Sequence, residues 1–380
     1  MQTDVTISVW NKFHSFPLID GLTRNQFKVY ANGVSGDRPN ALVYNRAELS
    51  RIAYFLHRKI KCGNFALAGS LKFYEQFVCS HLGDAHFFWG WSGHHLKAFQ
   101  RAKKLEKKII LERGSSHPMW RFEQMKSEHQ RSDTGKYDYS KKLLEKELAE
   151  IELADYVSIP SQFVKDTFLQ YGVSQKKLLV NPYGADVSYW RKASESRSCI
   201  SARPLTFVWA GAVMQRKGVY YLLEAWKKAK LNHAKLLFVG GVSHDAKQYL
   251  DDLPEGVEIC GYKTHAELLE IYKNADVGIL PSLEEGMARS LLEAMSAALP
   301  LIITYETGMT QFINHQEHGW IVESKSIDDI VLALKEADAN REGLADMGNK
   351  AYEVIKGYTW DAYGDRASKL FAEIKENDSI

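Results

Sequence analysis

Short runs of β-branched and aromatic residues alternate with longer stretches of helical periodicity along most of the chain. Apolar residues spaced three to four positions apart predict helices at 46–60, 140–154, 219–230, 265–273 and 287–297. The short runs predict strands at 5–10, 27–30, 85–89, 108–111, 156–159, 178–180, 206–210, 235–239, 257–260, 277–280, 301–304 and 320–322. Strands that alternate with helices indicate parallel sheets covered by helices on both faces.

A polar, serine-rich stretch at 190–204 separates two series of alternating elements, and we interpret it as a linker. The 380 residues suffice for two domains. The sequence therefore predicts an α/β protein with two doubly wound, Rossmann-like domains that face a cleft. The predicted domains span 1–195 and 203–357, and residues 358–380 form a final helix. Its apolar residues on roughly one face are Trp360, Tyr363, Ala367 and Leu370.

Composition excludes several classes of protein. A formal net charge of +2 gives no global reason to expect a nucleic-acid partner. The four cysteines are scattered without metal-ligand spacing, so neither a zinc site nor a disulfide framework is expected. Residues 1–30 lack the pattern of a signal peptide, and no run approaches the ~20 apolar residues of a membrane span. We therefore expect a cytoplasmic enzyme.

One strongly basic stretch leaves two interpretations open. Apolar residues at helical spacing in 96–109 predict an amphipathic helix whose basic face is ordinary solvated surface. The same face could instead contact anionic lipid headgroups, which would place the protein peripherally at the inner face of a membrane. The basic residues are Lys97, Arg101, Lys103, Lys104, Lys107 and Lys108.

The segment "FVWAGAVMQRKGVYYLLEAW" predicts an anion site. A strand ends at Ala210, Gly211 permits a tight turn, and a helix begins near Gly218. Amides at a helix start bind anions, and Arg216 and Lys217 would add positive charge there. The alternative is a plain turn with a basic pair on the surface. A second glycine turn, at Gly240, ends the next predicted strand, where open α/β sheets bind ligands.

Two acids frame the predicted helix in "PSLEEGMARSLLEAMSAALPLIIT". Glu285 stands just before Gly286, and Glu293 lies two turns further on. A sharp turn at Gly286 would leave the amides of residues 286–289 unpaired at the helix start, next to the positive end of the helix dipole. Glu285 could accept hydrogen bonds from sugar hydroxyls, and the two oxygens of Glu293 suit a pair of ribose hydroxyls. For a single acid a structural role is the simpler reading, but the glycines and the phosphate-suited loop agree with the functional one. The four residues after Glu285 are Gly286, Met287, Ala288 and Arg289.

These residues resemble the GT-B retaining glycosyltransferases of glycosyltransferase family 4. The similarity covers nearly all of 205–325 in the family's order. It runs through Gly211, Lys217-Gly218, Gly240-Gly241, Gly261, Ala275-Asp276, Pro281-Ser282, Glu285-Gly286, Leu292-Glu293-Ala294, Leu299-Pro300, Gly308 and Gly319.

The resemblance implies a hexosyltransferase-like enzyme of surface polysaccharide or glycoconjugate synthesis. It implies a nucleoside diphosphate sugar as donor, held by the C-terminal domain, and a glycan or glycolipid acceptor at the N-terminal domain. Neither a metal ion nor a separate cofactor is expected. By resemblance, Arg216 and Lys217 hold the diphosphate, Glu293 the ribose and Glu285 the donor sugar. The final helix would cross back to the N-terminal domain.

The N-terminal half resembles the family only loosely. His117 is similar in place to a histidine that serves the donor sugar, but His94 and His95 compete for that role. A glycine-rich pair near the N-terminus is replaced by "NKFHSFPLIDGL", and Ala212 stands where an arginine is common. Two alternatives stay open: an epimerase or hydrolase with the same two-domain plan, and a nucleotide-sugar-binding protein without catalysis. The resemblance is similarly loose at Ser161, Gly184 and Asp186.

Overall fold

The computed structural model describes residues 4–10, 14–33, 43–46, 63–132, 139–195, 197 and 203–378. Two separate parallel sheets organise these residues, one in each half of the chain. Among the described connections, α-helices or 3₁₀ turns lie between successive strands, because parallel strands can be joined only by a crossover.

The first sheet has seven strands in the order β3-β2-β1-β4-β5-β6-β7, all parallel. Its strands are β1 Val5–Val9, β2 Val29–Gly33, β3 Val43–Arg46, β4 Phe87–Trp91, β5 Lys108–Glu112, β6 Tyr156–Ile159 and β7 Leu178–Val180. The helices of this half are α1 Ser15–Arg24, α2 Gly63–Ser80, α3 Leu96–Lys104, α4 Pro118–Ser132, α5 Lys141–Leu153, α6 Gln162–Gln170 and α7 Val187–Glu195.

The second sheet has six strands in the order β10-β9-β8-β11-β12-β13, also all parallel. Its strands are β8 Leu205–Ala210, β9 Ala234–Val239, β10 Val257–Gly261, β11 Val277–Leu280, β12 Leu301–Ile303 and β13 Gly319–Ile321. Its helices are α8 Val219–Ala229, α9 His265–Lys273, α10 Arg289–Ser296, α11 Ile327–Ala339 and α12 Leu344–Ile355, and a final helix, α13, spans Trp360–Asp378.

In each sheet, successive strands are first added on one side of the first strand and then on the other. This reversal of strand order confirms the doubly wound α/β class. β1 lies between β2 and β4, and β8 lies between β9 and β11. Every residue of β1, β8 and β11 is buried, as expected for strands covered on both faces. Ligands of such sheets bind at the carboxyl ends of the strands near this switch point.

Helix α13 packs on α1 of the first half. A Cβ on Gly21 would lie 2.3 Å from the backbone of Gly364, so the two helices touch backbone to backbone. Arg24 at the end of α1 donates to Asp361 at 3.0 Å and to Asp365 at 2.9 Å. The chain therefore returns from the second sheet to the first, while the residue boundaries of the domains stay a prediction.

Local differences from the predicted elements have physical causes. The first six residues of the stretch at 190–204 belong to helix α7, and Trp190 there is only 2% exposed. The predicted linker is therefore wrong over these six residues. Strand β3 was not predicted; the helix predicted at 46–60 lies, apart from Arg46, outside the described residues.

The basic stretch is shorter and less exposed than its sequence indicates. Helix α3 ends at Lys104, and Lys108 begins β5. Lys103 pairs with Asp155 at 2.8 Å, and the buried Lys107 donates to the Ala85 carbonyl. Within the described ranges, no helix is long and apolar enough to cross a bilayer.

Candidate active site

The carboxyl ends of β8 and β9 approach each other through two glycines. Gly211 has φ of +132° and Gly240 has φ of +157°. A Cβ on Gly240 would stand 1.9 Å from the Gly211 carbonyl oxygen, and one on Gly211 would stand 3.5 Å from the Lys217 ammonium. Glycine at 240 therefore lets the two strand ends pack backbone to backbone, and Gly211 places this contact beside Lys217.

A 3₁₀ turn, Gln215–Lys217, carries the predicted basic pair. Gly218 ends this turn with φ of +84° and forms the N-cap of α8. A Cβ on Gly218 would clash with the Pro281 carbonyl oxygen at 2.0 Å, and the Leu283 amide donates to the Arg216 carbonyl at 2.8 Å. The loop after β11 thus fixes the backbone of the basic turn.

Glu285 lies directly against this pair. Its Oε1 is 2.6 Å from Lys217 Nζ and 3.1 Å from an Arg216 guanidinium nitrogen, Nη1. Burial alone would raise the pKa of Glu285, but Arg216 and Lys217 lower it below its ordinary value. The two cations and this carboxylate therefore form one cluster, which we call the clamp: Arg216, Lys217 and Glu285.

The neighbouring Glu284 was not singled out from the sequence, yet it is the more buried acid, with 1% of its side chain exposed. Its Oε1 accepts from Ser115 Oγ at 2.6 Å and from the Ser116 amide and hydroxyl at 3.1 and 2.8 Å. Its Oε2 lies 3.1 Å from Arg216 Nη1. Glu284 therefore connects Arg216 of the clamp to the first half of the chain.

Gly286 is the point where the two halves meet most closely. A Cβ there would lie 2.1 Å from the Gly114 carbonyl oxygen, which explains the glycine. Ser161 Oγ, the N-cap of α6, donates to the Gly286 carbonyl at 2.6 Å. Sequence reasoning placed Gly286 at a turn, but only the fold shows that it faces Gly114.

The helix after Gly286 begins two residues later than predicted. Ala288 is the N-cap of α10, and its amide donates to the Thr307 carbonyl at 3.0 Å. The expectation that all four amides of residues 286–289 are unpaired is therefore wrong for Ala288. Those of Gly286, Met287 and Arg289 have no acceptor among the residues the structure describes. Met287 is buried, whereas Arg289 is exposed and lies over the Trp360 ring at 5.6 Å.

Glu293 lies in α10, two turns beyond Glu285, and is half-buried. Burial raises its pKa to about 7, although the Arg289 charge partly opposes this. An acid in such surroundings is ionised only in part near neutral pH, and it gains from hydroxyl donors that would satisfy its oxygens.

The three candidate histidines occupy different environments. His117 follows Ser116 directly and is 4% exposed; its ring stacks on Tyr171 with centroids 4.6 Å apart. Burial and then Arg113 lower its pKa to about 4. His95 is fully buried between the Tyr74 hydroxyl at 3.1 Å and the Trp91 carbonyl at 2.7 Å.

His94 is partly exposed, and its Nδ1 lies 3.0 Å from the Ser92 carbonyl oxygen. Burial lowers the pKa of His94, as it lowers that of His95 to about 3. Of the three, only His117 adjoins a residue that contacts Glu284, the acid next to the clamp.

A further buried pair went unnoticed in the sequence. His14, at the start of α1, lies 2.7 Å from Glu112 at the end of β5, and the Trp89 indole donates to the same carboxylate at 3.1 Å. The His14 ring also packs on Tyr183 at 4.5 Å. The two residues are 98 positions apart, so no local pattern could have joined them.

Comparison with known proteins agrees with this geometry. Residues 204–339 match the family model described as glycosyl transferases group 1. The matched segment includes all six strands of the second sheet, and we call it the group 1 domain after this match. This domain contains the whole clamp, Glu284 and Glu293, and the first sheet lies outside the matched segment.

Curated relatives of the group 1 domain are distant. An uncharacterized glycosyltransferase of Methanocaldococcus jannaschii is 28% identical over 198 residues, 48% of this chain and 49% of that protein. The UDP-Gal:alpha-D-GlcNAc-diphosphoundecaprenol alpha-1,3-galactosyltransferase of Escherichia coli is 25% identical over 220 residues, 54% of this chain and 56% of that one. The chain thus spans about half the length of the curated relatives it matches.

The fold extends over the whole chain. Sucrose-phosphate synthase from Thermosynechococcus elongatus superposes with a TM-score of 0.74 over 99% of this chain and 100% of that one, at 16% identity. The likeness therefore includes the first sheet as well as the group 1 domain, and the fold is the two-domain GT-B arrangement.

Proposed function

We propose that this protein is a retaining, metal-independent glycosyltransferase. It would move a sugar from a nucleoside diphosphate sugar to a hydroxyl of a glycan or glycolipid, in the synthesis of surface polysaccharide or another glycoconjugate. One observation carries the proposal. The side-chain nitrogens of Arg216 and Lys217 both lie within 3.1 Å of Glu285 Oε1. This cluster stands at the carboxyl edge of the group 1 domain, on the side of the first sheet.

The clamp has the charges that a leaving diphosphate needs. As the bond to the sugar lengthens, negative charge develops on the diphosphate, and fixed cations stabilise it most in a site with little water. Lys217 supplies a point charge and Arg216 a planar fork of donors. Because both cations already pair with Glu285, the incoming diphosphate would take over their charge and free that carboxylate for the sugar hydroxyls.

Glu293 would bind the other end of the nucleotide. It stands eight residues after Glu285, and only the part of this segment from Arg289 onwards is helical. Its two oxygens would accept from the vicinal hydroxyls of the ribose, and the unpaired amides at the start of α10 would lie between the ribose and the sugar. Gly211, Gly240 and residues 286–289 would let the donor approach the backbone closely.

The acceptor would bind at the first sheet. The galactosyltransferase relative is named for a sugar carried on diphosphoundecaprenol, which supports a lipid-linked acceptor for this chain. Lys97, Arg101 and Lys104 on α3 are exposed, and they are the residues that would contact anionic lipid. Retention of configuration at the anomeric carbon is proposed from the family resemblance. So is attack by the acceptor on the same face that the diphosphate leaves.

A nucleotide panel tests this function. UDP, GDP, ADP and their sugars would be screened by thermal shift, in which a ligand at 100 times its dissociation constant adds about 2.7 kcal/mol. The donor that binds would then be incubated with and without lipid-linked glycans and the products identified by mass spectrometry. Transfer that needs an acceptor supports the proposal. Turnover of donor alone would indicate an epimerase or hydrolase, and binding without turnover would indicate a non-catalytic protein.

A further inference from the structure

Glu284 joins the two halves of the molecule through one carboxylate. Its Oε1 faces the first half and accepts from Ser115 Oγ, the Ser116 amide and Ser116 Oγ at 2.6, 3.1 and 2.8 Å. With 1% of its side chain exposed, Glu284 receives these donors in place of water. If the halves separated, all three hydrogen bonds would be lost together.

The other oxygen of Glu284 faces two arginines. Oε2 lies 3.1 Å from Arg216 Nη1 and 3.7 Å from Arg121 Nε, which belongs to α4 of the first half. Burial alone would raise the pKa of Glu284, but Arg216 and Arg121 together with the serine donors hold it at about 2. The group is therefore ionised throughout the working pH range, and without the first half it would keep Arg216 but lose Arg121 and the serine donors.

Arg216 depends on Glu284 for its orientation. The same nitrogen, Nη1, also donates to the main-chain carbonyl of Glu284, so side chain and backbone of one residue hold the guanidinium. The third partner of Nη1 is Glu285 at 3.1 Å, which the donor would displace. Glu284 is then the carboxylate that keeps Arg216 in place while diphosphate binds.

A second contact ties the basic turn to the first half. Gln215 is 1% exposed, and its side-chain nitrogen Nε2 donates to the Glu128 carbonyl at 3.2 Å and to Ser132 Oγ at 2.5 Å, both in the last turns of α4. The first half of the chain thus holds Gln215 through α4 and Glu284 through Ser115 and Ser116, by separate contacts.

We propose that Glu284 is a positioning residue that couples contact with Ser115 and Ser116 to the placement of Arg216, so that the clamp is complete only when the two domains are closed. This rests on the proposed function in one respect, the identity of the anion. The coupling itself belongs to the protein and is measurable without any nucleotide.

The decisive variant is Ser115→Ala combined with Ser116→Ala, which removes two donors of the first half and leaves the charge of Glu284 and its pair with Arg216 intact. Hydrogen exchange by mass spectrometry reads the peptide at 214–218, which contains no mutated residue. We expect faster exchange there, about tenfold weaker binding of the nucleoside diphosphate that binds the parent, and unchanged binding of the bare nucleoside. Glu284→Gln should give the same pattern.

Tyr305→Phe is the matched control. The Tyr305 hydroxyl donates to Asp166 across the same domain boundary but contacts no member of the clamp, so exchange at 214–218 and nucleotide affinity should match the parent. Unchanged exchange and affinity in the double serine variant would overturn the coupling, as would an equal effect of Tyr305→Phe. If no nucleoside diphosphate binds the parent, the proposed function fails, while exchange at 214–218 still decides the coupling.

Discussion

The carboxylate of Glu285 lies 2.6 Å from the ammonium of Lys217 and so compensates the charge that a diphosphate would meet. The cations of the clamp thus pair with its own acid. Under the proposed function a donor would replace this internal ion pair, and the displaced acid would lie at the end of the site where the sugar would be.

Replacing this acid should strengthen nucleotide binding and weaken catalysis. Glu285→Gln removes the internal counter-charge, so nucleoside diphosphate should bind about tenfold more tightly, or about 1.4 kcal/mol. Turnover of the intact donor should fall, because the amide would not stabilise the reacting sugar as the carboxylate does. Calorimetry and initial rates measure the two effects. Equal or weaker nucleotide binding would contradict the competition between Glu285 and diphosphate.

Lys217 should act on phosphate alone. Lys217→Ala removes one charge-assisted contact, and the binding free energy of nucleoside diphosphate should weaken by about 1.5–3 kcal/mol. Binding of the bare nucleoside should not change, because nothing in it reaches the clamp. Lys227→Ala is the control, since Lys227 is exposed on α8 and pairs only locally, with Glu224 at 3.1 Å. Equal losses for both ligands would remove Lys217 from the diphosphate site.

Activity should survive excess EDTA. Among the described residues, no group of three or more histidines, cysteines and acids is placed to hold a metal ion, and Arg216 and Lys217 supply positive charge where a cation would otherwise act. The measurement is the initial rate with donor and acceptor, with and without chelator. Loss of activity that magnesium or manganese restores would show that the two cations are not sufficient.

The parts of the fold that depend on neighbouring residues could be predicted. Strands β6, β7 and β11 were predicted to the residue, because each is a short apolar run between two helical patterns. Helix α1 was missed, since Pro17 and Gly21 weaken its helical signal, yet Gly21 is required for the close approach to Gly364. The packing of helix α1 depends on residues far away in the sequence, so the local pattern could not predict it.

The candidate site shows the same division. Glu285 stands just before the predicted helix and Glu293 within it, so their spacing is visible in the sequence, and the basic pair follows a glycine turn. Glu284 was missed because its partners, Ser115 and Ser116, are 169 and 168 residues away. The pairing of Glu285 with Lys217 was also invisible, because it depends on how the loops after β8 and β11 meet.

The histidine alternatives separate by experiment. His117→Gln should lower the turnover of the folded protein and leave its nucleotide affinity nearly unchanged, if His117 serves the donor sugar. His95→Gln should instead destabilise the fold by about 2–4 kcal/mol, because two buried partners lose their hydrogen bonds. Urea unfolding and initial rates distinguish the two. Full activity in a folded His117→Gln variant would exclude His117.

Glu293 should make nucleotide binding depend on pH. Burial raises its pKa to about 7, so its ionised fraction rises between pH 6 and pH 8. Only the ionised form offers all its lone pairs to ribose hydroxyls, so nucleoside diphosphate affinity should rise over this range. Phosphate also titrates near pH 6, and the comparison is therefore with Glu293→Gln. That variant should bind more weakly at pH 8 and lose the part of the pH dependence due to the acid.

Glu293 should lower the free energy of unfolding of the ligand-free protein at neutral and alkaline pH. Because the pKa of Glu293 is higher in the folded protein than its ordinary 4.5, the folded state binds more protons between pH 4.5 and pH 7. The free energy of unfolding must then fall as the pH rises through this window. Glu293→Gln has no such penalty, so it should be more stable than the parent by about 1–3 kcal/mol at pH 8 and equal to it near pH 4. Urea unfolding of both proteins at the two pH values measures this. Glu150 and Glu306 are buried acids with raised pKa values in both proteins, so their contributions cancel when the two free energies of unfolding are subtracted. A variant less stable than the parent at pH 8 would show that the carboxylate has a structural partner and is not kept free for a ligand.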